Sequence, residues 1–258
     1  MRDTNTGKNG MIAVTGANRG IGAAIAKELA NRGFTVACLT RKGIVPETSG
    51  SEKKHLSKRL VGIRCDVTDT ESIAAAFSAI EDLRNGKHDE LCGVVNCAGI
   101  TSGGPSREFE TREFERIMQT NVIGTFSICK AAFPLLLKQR RGLIVNIGSF
   151  WDQMGVKKYA AYCASKAAVG ALTRCLGVEW AKHGIQVVDV APGYIETEMT
   201  AESLNHEATQ KFLESRLPGG RVGRPDEIAR VVASLFSENV EFLNATTIYV
   251  DGGQGPAM

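Results

Sequence analysis

The sequence predicts one doubly wound α/β domain, a seven-stranded parallel sheet with helices on both faces. Three observations predict it. Seven short runs rich in β-branched residues are separated by stretches with helical spacing of apolar residues, the pattern left by strands joined through crossover helices. The runs are apolar throughout instead of alternating with polar residues, as strands buried on both faces are. A glycine-rich turn follows the first run, where such folds receive the phosphates of a nucleotide.

Taken in order, MIAVT at 11–15 is the first strand, and the helix Gly20–Asn31 follows it with apolar residues at helical spacing. TVACL at 35–39 is the second strand. The polar segment Lys42–Arg59 can bury few residues, so it reads as a solvated loop with a short or frayed helix. LVGIRCD at 60–66 is the third strand, and Thr68 with Glu71 forms a capping-box pattern ahead of SIAAAFSAIEDL. LCGVVN at 91–96, GLIVNIG at 142–148, IQVVDVA at 185–191 and TTIYV at 246–250 complete the sheet. Pro225, Asp226 and Glu227 open a helix through Phe236. Residues 1–10 form a polar, disordered N-terminus, and 11–258 form the single domain. Within it, 193–223 follows the carboxyl end of the sixth strand, where a substrate lid is expected.

Composition narrows the function classes. The chain has 258 residues, 43% hydrophobic and 23% charged, enough for a full core without staples. The balance of 31 basic against 28 acidic residues argues against nucleic acid or an anionic membrane as the main partner. The N-terminal stretch MRDTNTGKNG lacks the apolar core of a secretory signal. No later run approaches the ~18 apolar residues of a membrane span, so a cytoplasmic protein is expected. Seven scattered cysteines without a C-x-x-C pair read as reduced thiols, and four histidines in polar segments lack ligand spacing, so no metal site is expected.

The turn TGANRGIG carries Gly16, Gly20 and Gly22 between the first strand and the first helix, with Asn18, Arg19 and Ile21 among them. Glycines there let the backbone turn sharply and approach a pyrophosphate, whose charge the free N–H groups at the helix start stabilise. The fold is therefore of Rossmann type, although G-x-x-x-G-x-G departs from the G-x-G-x-x-G spacing. At the end of the second strand stand Thr40 and Arg41, where a carboxylate would select a ribose hydroxyl. With no acid there and a guanidinium available for a 2'-phosphate, the expected cofactor is NADP(H), with Arg19 in support. Asp66 closes the third strand, placed to accept from an adenine amino group, to cap the turn into Thr68, or both.

The stretch NIGSFWDQMGVKKYAAYCASK at 146–166 carries the reacting groups. Tyr162 and Lys166 are four apart on a helix and share one face. Ser149 lies just past the fifth strand, so a strand end and a helix face can converge beside the nucleotide. Taken singly, the Tyr–Lys pair is an ordinary helix pair and Ser149 a cap. Taken together, TGANRGIG, Asp66 with Val67, NCAG at 96–99, Asn121, Ser149, Tyr162 with Lys166, PG at 192–193 and Thr197 resemble the short-chain dehydrogenase/reductase family from Met11 to about Gly253.

The resemblance implies carbonyl reduction with Asn121, Ser149, Tyr162 and Lys166 as catalytic residues. Tyr162 would supply the proton. A phenol with a pKa near 10 is a poor acid–base group at neutral pH, and the Lys166 ammonium would favour its phenolate while holding the nicotinamide ribose. Ser149 would bind the substrate oxygen, and Asn121 would hold a water in a proton relay to Lys166. Asn96, Ala98 and Gly99 would line the cofactor, and Pro192, Gly193, Ile195 and Thr197 would close over the nicotinamide.

Within the family, PGYIETEMT, GGRVGRPDEIARVV and YVDGG look most like 3-oxoacyl-acyl-carrier-protein reductases, which implies a β-keto thioester substrate. Trp151 and Tyr194 are candidate substrate residues. Trp151 either narrows the pocket toward a compact or aromatic ketone or packs beneath the lid. An acidic carrier protein would need basic residues near the mouth, for which Arg140, Arg141, Lys182 and His183 are candidates. Two alternatives stand beside this reading: a reductase of a free ketone, diketone or polyol, and a nucleotide-binding protein without catalysis. Apolar residues around much of the helices 113–139 and 160–182 fit a subunit interface, and the resemblance implies a homotetramer.

Overall fold

The computed structural model describes residues 10–85, 90–204, 213, 216–238 and 240–255. Of the polar N-terminus only Gly10 lies within them. All seven expected strands form: β1 (Met11–Thr15), β2 (Thr35–Thr40), β3 (Leu60–Arg64), β4 (Leu91–Asn96), β5 (Gly142–Ile147), β6 (Ile185–Pro192) and β7 (Thr246–Val250). They pair in parallel in the order β3-β2-β1-β4-β5-β6-β7. From β1 the chain runs outward to β3, then returns to the other side of β1. At that reversal the crossovers leave on opposite faces, opening a crevice at the carboxyl ends of β1 and β4.

Two apolar layers sandwich the sheet. On one face α1 (Gly20–Asn31) and α8 (Pro225–Ser237) set Ile25, Leu29, Ile228 and Val232 against Ile12, Val14, Val145 and Val190. On the other, α3 (Thr70–Asn85), α5 (Gly124–Gln139) and α6 (Ala160–Trp180) set Ile80, Ile128, Leu136 and Leu176 against Ala13, Val94, Ile144 and Val187. Neighbouring strand residues fall into opposite layers, as the two-residue period of a strand requires. Each such side chain contributes about 1.5–3 kcal/mol by burial, so these layers hold the strand ends in place beneath the crevice.

Three local outcomes bear on the site. The helix after β3 starts at Thr70 and not at the capping-box position: Asp66 Oδ1 accepts from Thr68 N (2.9 Å) and Thr68 Oγ1 (2.7 Å), tying Thr68 back to the strand end. Asp69 takes the capping role, accepting from Glu71 N at 3.0 Å. The polar segment after β2 contains one short helix, α2 (Gly50–Leu56), anchored by the fully buried Leu56. The long helical stretch after β4 is two helices, α4 (Thr111–Met118) and α5, joined by a π turn at Gln119–Ile123 that places Asn121 inside, 2% exposed.

Within Thr111–Gln139 an 18-residue window has a mean hydropathy of 1.4, enough to cross a membrane by length and composition only. In the fold, Ile128, Cys129, Ala132 and Leu136 of this stretch are buried in the core. The segment 193–223 contains α7 (Glu198–Leu204). Residues 205–212, 214 and 215 of the expected lid lie outside the described residues. None of the seven cysteines forms a disulfide among the described residues, and Cys38, Cys65 and Cys129 are buried.

Candidate active site

The turn after β1 is shaped for backbone approach. Gly16 and Gly20 have φ of +67° and +54°, values that L side chains rarely adopt. A Cβ on Gly22 would lie 2.3 Å from Gly16 O, so this turn closes only around glycine. Thr15 Oγ1 accepts from Cys97 N and Ala98 N, both at 3.0 Å, binding the turn after β4 to the end of β1.

Above these turns lies a cleft of about 930 Å³. Every expected cofactor residue lines it except Asn96: Gly16, Asn18, Arg19, Gly20, Ile21 and Gly22 on the first turn, Arg41, Asp66, Val67, Ala98 and Gly99 at the ends of β2, β3 and β4, and Pro192, Gly193, Ile195 and Thr197 after β6. Ser149, Tyr162 and Lys166 line the same space. The two Thr68 bonds hold the Asp66 carboxyl below its ordinary range.

Ser149, Tyr162 and Lys166 come together in this cleft. Lys166, 7% exposed, donates from Nζ to Ile147 O at 2.7 Å and stands 5.6 Å from the centre of the Tyr162 ring. Ser149 caps the 3-10 turn Phe150–Gln153, its Oγ accepting from Trp151 N at 3.3 Å. One cleft therefore contains a phenol, an ammonium, a hydroxyl and a phosphate-type cradle. Such a set can orient a carbonyl and exchange a proton with its oxygen.

Three expected residues behave differently. Asn96 faces the α5 and α6 layer, its Nδ2 donating to Asn146 Oδ1 at 2.9 Å and Cys129 Sγ at 3.2 Å, because alternation along β4 turns it away from the cleft. Asn121 Oδ1 accepts from Ile100 N, and its Nδ2 donates to Ile100 O and Ser165 Oγ, at 2.9, 2.9 and 3.0 Å. A water relay at Asn121 would therefore use its backbone carbonyl, which already accepts from Thr125 Oγ1 at 2.8 Å. Arg19 turns toward α7, where it pairs with Glu198 at 2.9 Å in an exposed contact.

Trp151 and Tyr194 lie beyond the lined cleft, in an aromatic cluster. Trp151 has ring centres at 5.0 Å to Tyr159, 5.7 Å to Tyr162 and 5.8 Å to Tyr194, and Phe150 lies 5.5 Å from Tyr194. Burial and the neighbouring Tyr159 push the Tyr194 hydroxyl above its ordinary range.

Sequence reasoning missed the polar rung beneath the site. Thr15, Asn96, Asn146, Asp189 and Thr247 stand side by side across β1, β4, β5, β6 and β7. No local signal marks it, because it exists only once the strand register is known.

The family model described as enoyl-(acyl carrier protein) reductase matches residues 16–254. The chain belongs to the short-chain dehydrogenase/reductase family. It is therefore an oxidoreductase acting on CH–OH groups, as this family is. It is 39% identical over 245 residues to the 3-oxoacyl-[acyl-carrier-protein] reductase FabG of Vibrio cholerae, covering 93% of this chain and 95% of that protein. It is 35% identical over 254 residues to the 2-(S)-hydroxypropyl-CoM dehydrogenase 3 of Xanthobacter autotrophicus, covering 97% and 98%. Among solved structures, the gluconate 5-dehydrogenase of Burkholderia cenocepacia in complex with NADP and tartrate superposes with a TM-score of 0.85 at 29% identity, covering 96% of each chain. Within the short-chain dehydrogenase/reductase family, then, proteins of one scaffold are named for 3-oxoacyl-[acyl-carrier-protein], 2-(S)-hydroxypropyl-CoM and gluconate, and the substrate must be argued from the pocket.

Proposed function

We propose that this chain binds NADP(H) and reduces a ketone to a secondary alcohol. The observation that carries the reading is the placement of Tyr162 and Lys166 on one face of α6, inside the cleft that the Gly16–Gly22 turn opens. The residues fit a phosphorylated dinucleotide. The turn admits backbone and no Cβ at Gly22, and Arg41 supplies positive charge at the end of β2, where the strand ends in Thr40 and not in a carboxylate. When bound, the nicotinamide supplies or accepts the hydride. The chain's residues do the rest: Ser149 orients the carbonyl oxygen, Tyr162 delivers the proton to it, and Lys166 stabilises the phenolate left behind. Asn121 holds Ile100 and Ser165 in place, with its carbonyl as the point of entry for a replenishing water.

For the substrate, the named relatives favour a 3-oxoacyl thioester, free or carrier-bound, with Arg140, Arg141, Lys182 and His183 as the basic residues to probe for a carrier contact. One observation favours a second reading. The rings of Phe150, Trp151, Tyr159 and Tyr194 join the turn after Ser149 to the base of the lid on the substrate side of Tyr162, a wall suited to a compact free ketone or diketone. Turnover of acetoacetyl thioesters beside small ketones, diketones and polyols, with NADPH and NADH in parallel, separates the readings. Activity confined to free ketones removes the thioester assignment, and tight NADPH binding without turnover on any carbonyl removes both.

A cytoplasmic homotetramer completes the proposal. Exposed Ile123, Phe126, Leu137 and Val178 on the 111–139 and 160–180 helices support subunit contacts there.

A further inference from the structure

Asp189 is the only charged member of the polar rung, and it is fully buried. It lies in register between Asn146 of β5 and Thr247 of β7 and faces α6. Thr247 Oγ1 donates to its Oδ2 at 3.2 Å, while Oδ1 has no hydrogen-bond partner among the described residues. The carboxyl presses on the backbone just before Ser149: a Cβ on Gly148 would fall 2.5 Å from Asp189 Oδ1.

On α6, Lys166, Gly170 and Arg174 follow at intervals of four, so they form one stripe over this carboxyl. Gly170 leaves room where three charged groups meet. A Cβ there would lie 3.5 Å from Arg174 Nη1, 3.7 Å from Asp152 Oδ2 and 3.9 Å from Asp189 Oδ2. Asp152 in turn accepts from Tyr249 Oη of β7 at 2.9 Å. The titratable and charged groups facing Asp189 are therefore Lys166 and Arg174 from α6, Asp152 from the 3-10 turn and Tyr249 from β7.

We propose that Asp189 is a positioning residue for the reaction: set beneath Gly148, it tempers the action of the Lys166 cation on Tyr162, and the charge on Asp152 sets when it does so. The proposal rests on the assignment of Tyr162 and Lys166 made above. Burial raises the Asp189 carboxyl to about 6, with Lys166 opposing and Asp152 adding to the rise. Its charge thus changes within the working range of an enzyme. Ionised, it offsets part of the Lys166 charge; protonated, it leaves Lys166 to act on the phenol in full.

The test is the pH dependence of alcohol oxidation with NADP, using the alcohol of whichever carbonyl turns over best. Asp189→Asn fixes the uncharged state. Its rising limb should begin about 0.5–1 pH unit earlier than in the wild type, a threefold to tenfold higher relative rate on that limb, and any inflection near pH 6 should be lost. Asp152→Asn should move that inflection to lower pH, and it serves as the second variant if Asp189→Asn does not fold. Profiles of either variant that overlay the wild type, or a rate lowered equally at every pH, overturn the proposal. A wild type that turns over normally when Tyr162 is changed to Phe overturns the catalytic assignment itself, a different outcome from an unmoved Asp189→Asn profile.

Discussion

The Lys166 ammonium lies 5.6 Å from the centre of the Tyr162 ring and is fixed there by its 2.7 Å bond to Ile147 O. A buried lysine so anchored has little freedom to leave the phenol, because moving it would strand both the charge and the carbonyl. Tyr162→Phe removes only the transferable proton, so turnover should fall by about 10²–10⁴-fold or more while NADPH affinity is nearly unchanged. Lys166→Ala should damage both. Steady-state kinetics beside a fluorescence titration of NADPH checks the pair; equal loss of binding in both variants would remove the division of roles.

Cofactor choice turns on the end of β2. Thr40 is buried and exchanges bonds with Ile44, accepting from its N at 2.9 Å and donating to its O at 3.2 Å, so its hydroxyl proton is already committed. Arg41 and Lys42 are the cations that line the cleft there, with Arg41 next to the strand end. A charge-assisted bond contributes about 1.5–3 kcal/mol, so Arg41→Asp should shift the ratio of kcat/KM values from NADPH toward NADH by about ten- to a hundredfold. The ratio is measured directly, and an unchanged preference for NADPH removes the role given to Arg41.

Much of this architecture was legible because the signals are local. Seven apolar runs marked the strands, and the glycine turn, Ser149, Tyr162 and Lys166 each sit at an element boundary or on one helix face. What escaped depends on pairing between distant segments. Asn96 is displaced from the cleft by strand alternation, and Asp189 is hidden inside IQVVDVA, where one acid in an apolar run gives no hint of Asn146 and Thr247 beside it. The capping box failed at Thr68 for a related reason: Asp66 competes for its N–H and hydroxyl, and Asp69 stands nearer the helix start. Trp151 could be placed after Ser149 from sequence, but its tyrosine neighbours come from the start of α6 (Tyr159 and Tyr162) and from the segment after β6 (Tyr194).

The phosphate turn offers a test of shape alone. At Gly22 an added methyl would meet Gly16 O at 2.3 Å, backbone against backbone, with no flexible side chain to yield. Gly22→Ala should therefore lower stability by about 1–3 kcal/mol as overpacking does, and it should weaken NADPH binding because the turn must open. Gly155, where an added Cβ meets nothing within 4 Å, is the control: Gly155→Ala should leave both nearly unchanged. Thermal melts with and without NADPH measure both effects, and a Gly22→Ala protein that binds and melts like the wild type would show that the turn is not the cradle described.

Asp189 makes a last prediction, on stability, that needs no substrate. Its carboxyl titrates at about 6 in the fold, against an ordinary value of 3.8, chiefly because burial disfavours the charged form. A folded-state value above the unfolded one means the unfolded chain releases this proton first. The favourable contribution is then fully present below about pH 4 and is lost as pH rises through 6. A shift of about two units corresponds to about 3 kcal/mol, which the wild type forgoes at pH 7.5. Asparagine keeps an oxygen for the Thr247 hydroxyl and does not ionise. Asp189→Asn should therefore melt higher relative to the wild type at pH 7.5 than at pH 4.5, the gap widening by about 2–4 °C for each kcal/mol. Taking the difference between the two proteins at each pH cancels the titration of the carboxyls that do not interact with Asp189, Asp152 being the one that does, so parallel melting curves across this range would mean that Asp189 carries no buried charge at neutral pH.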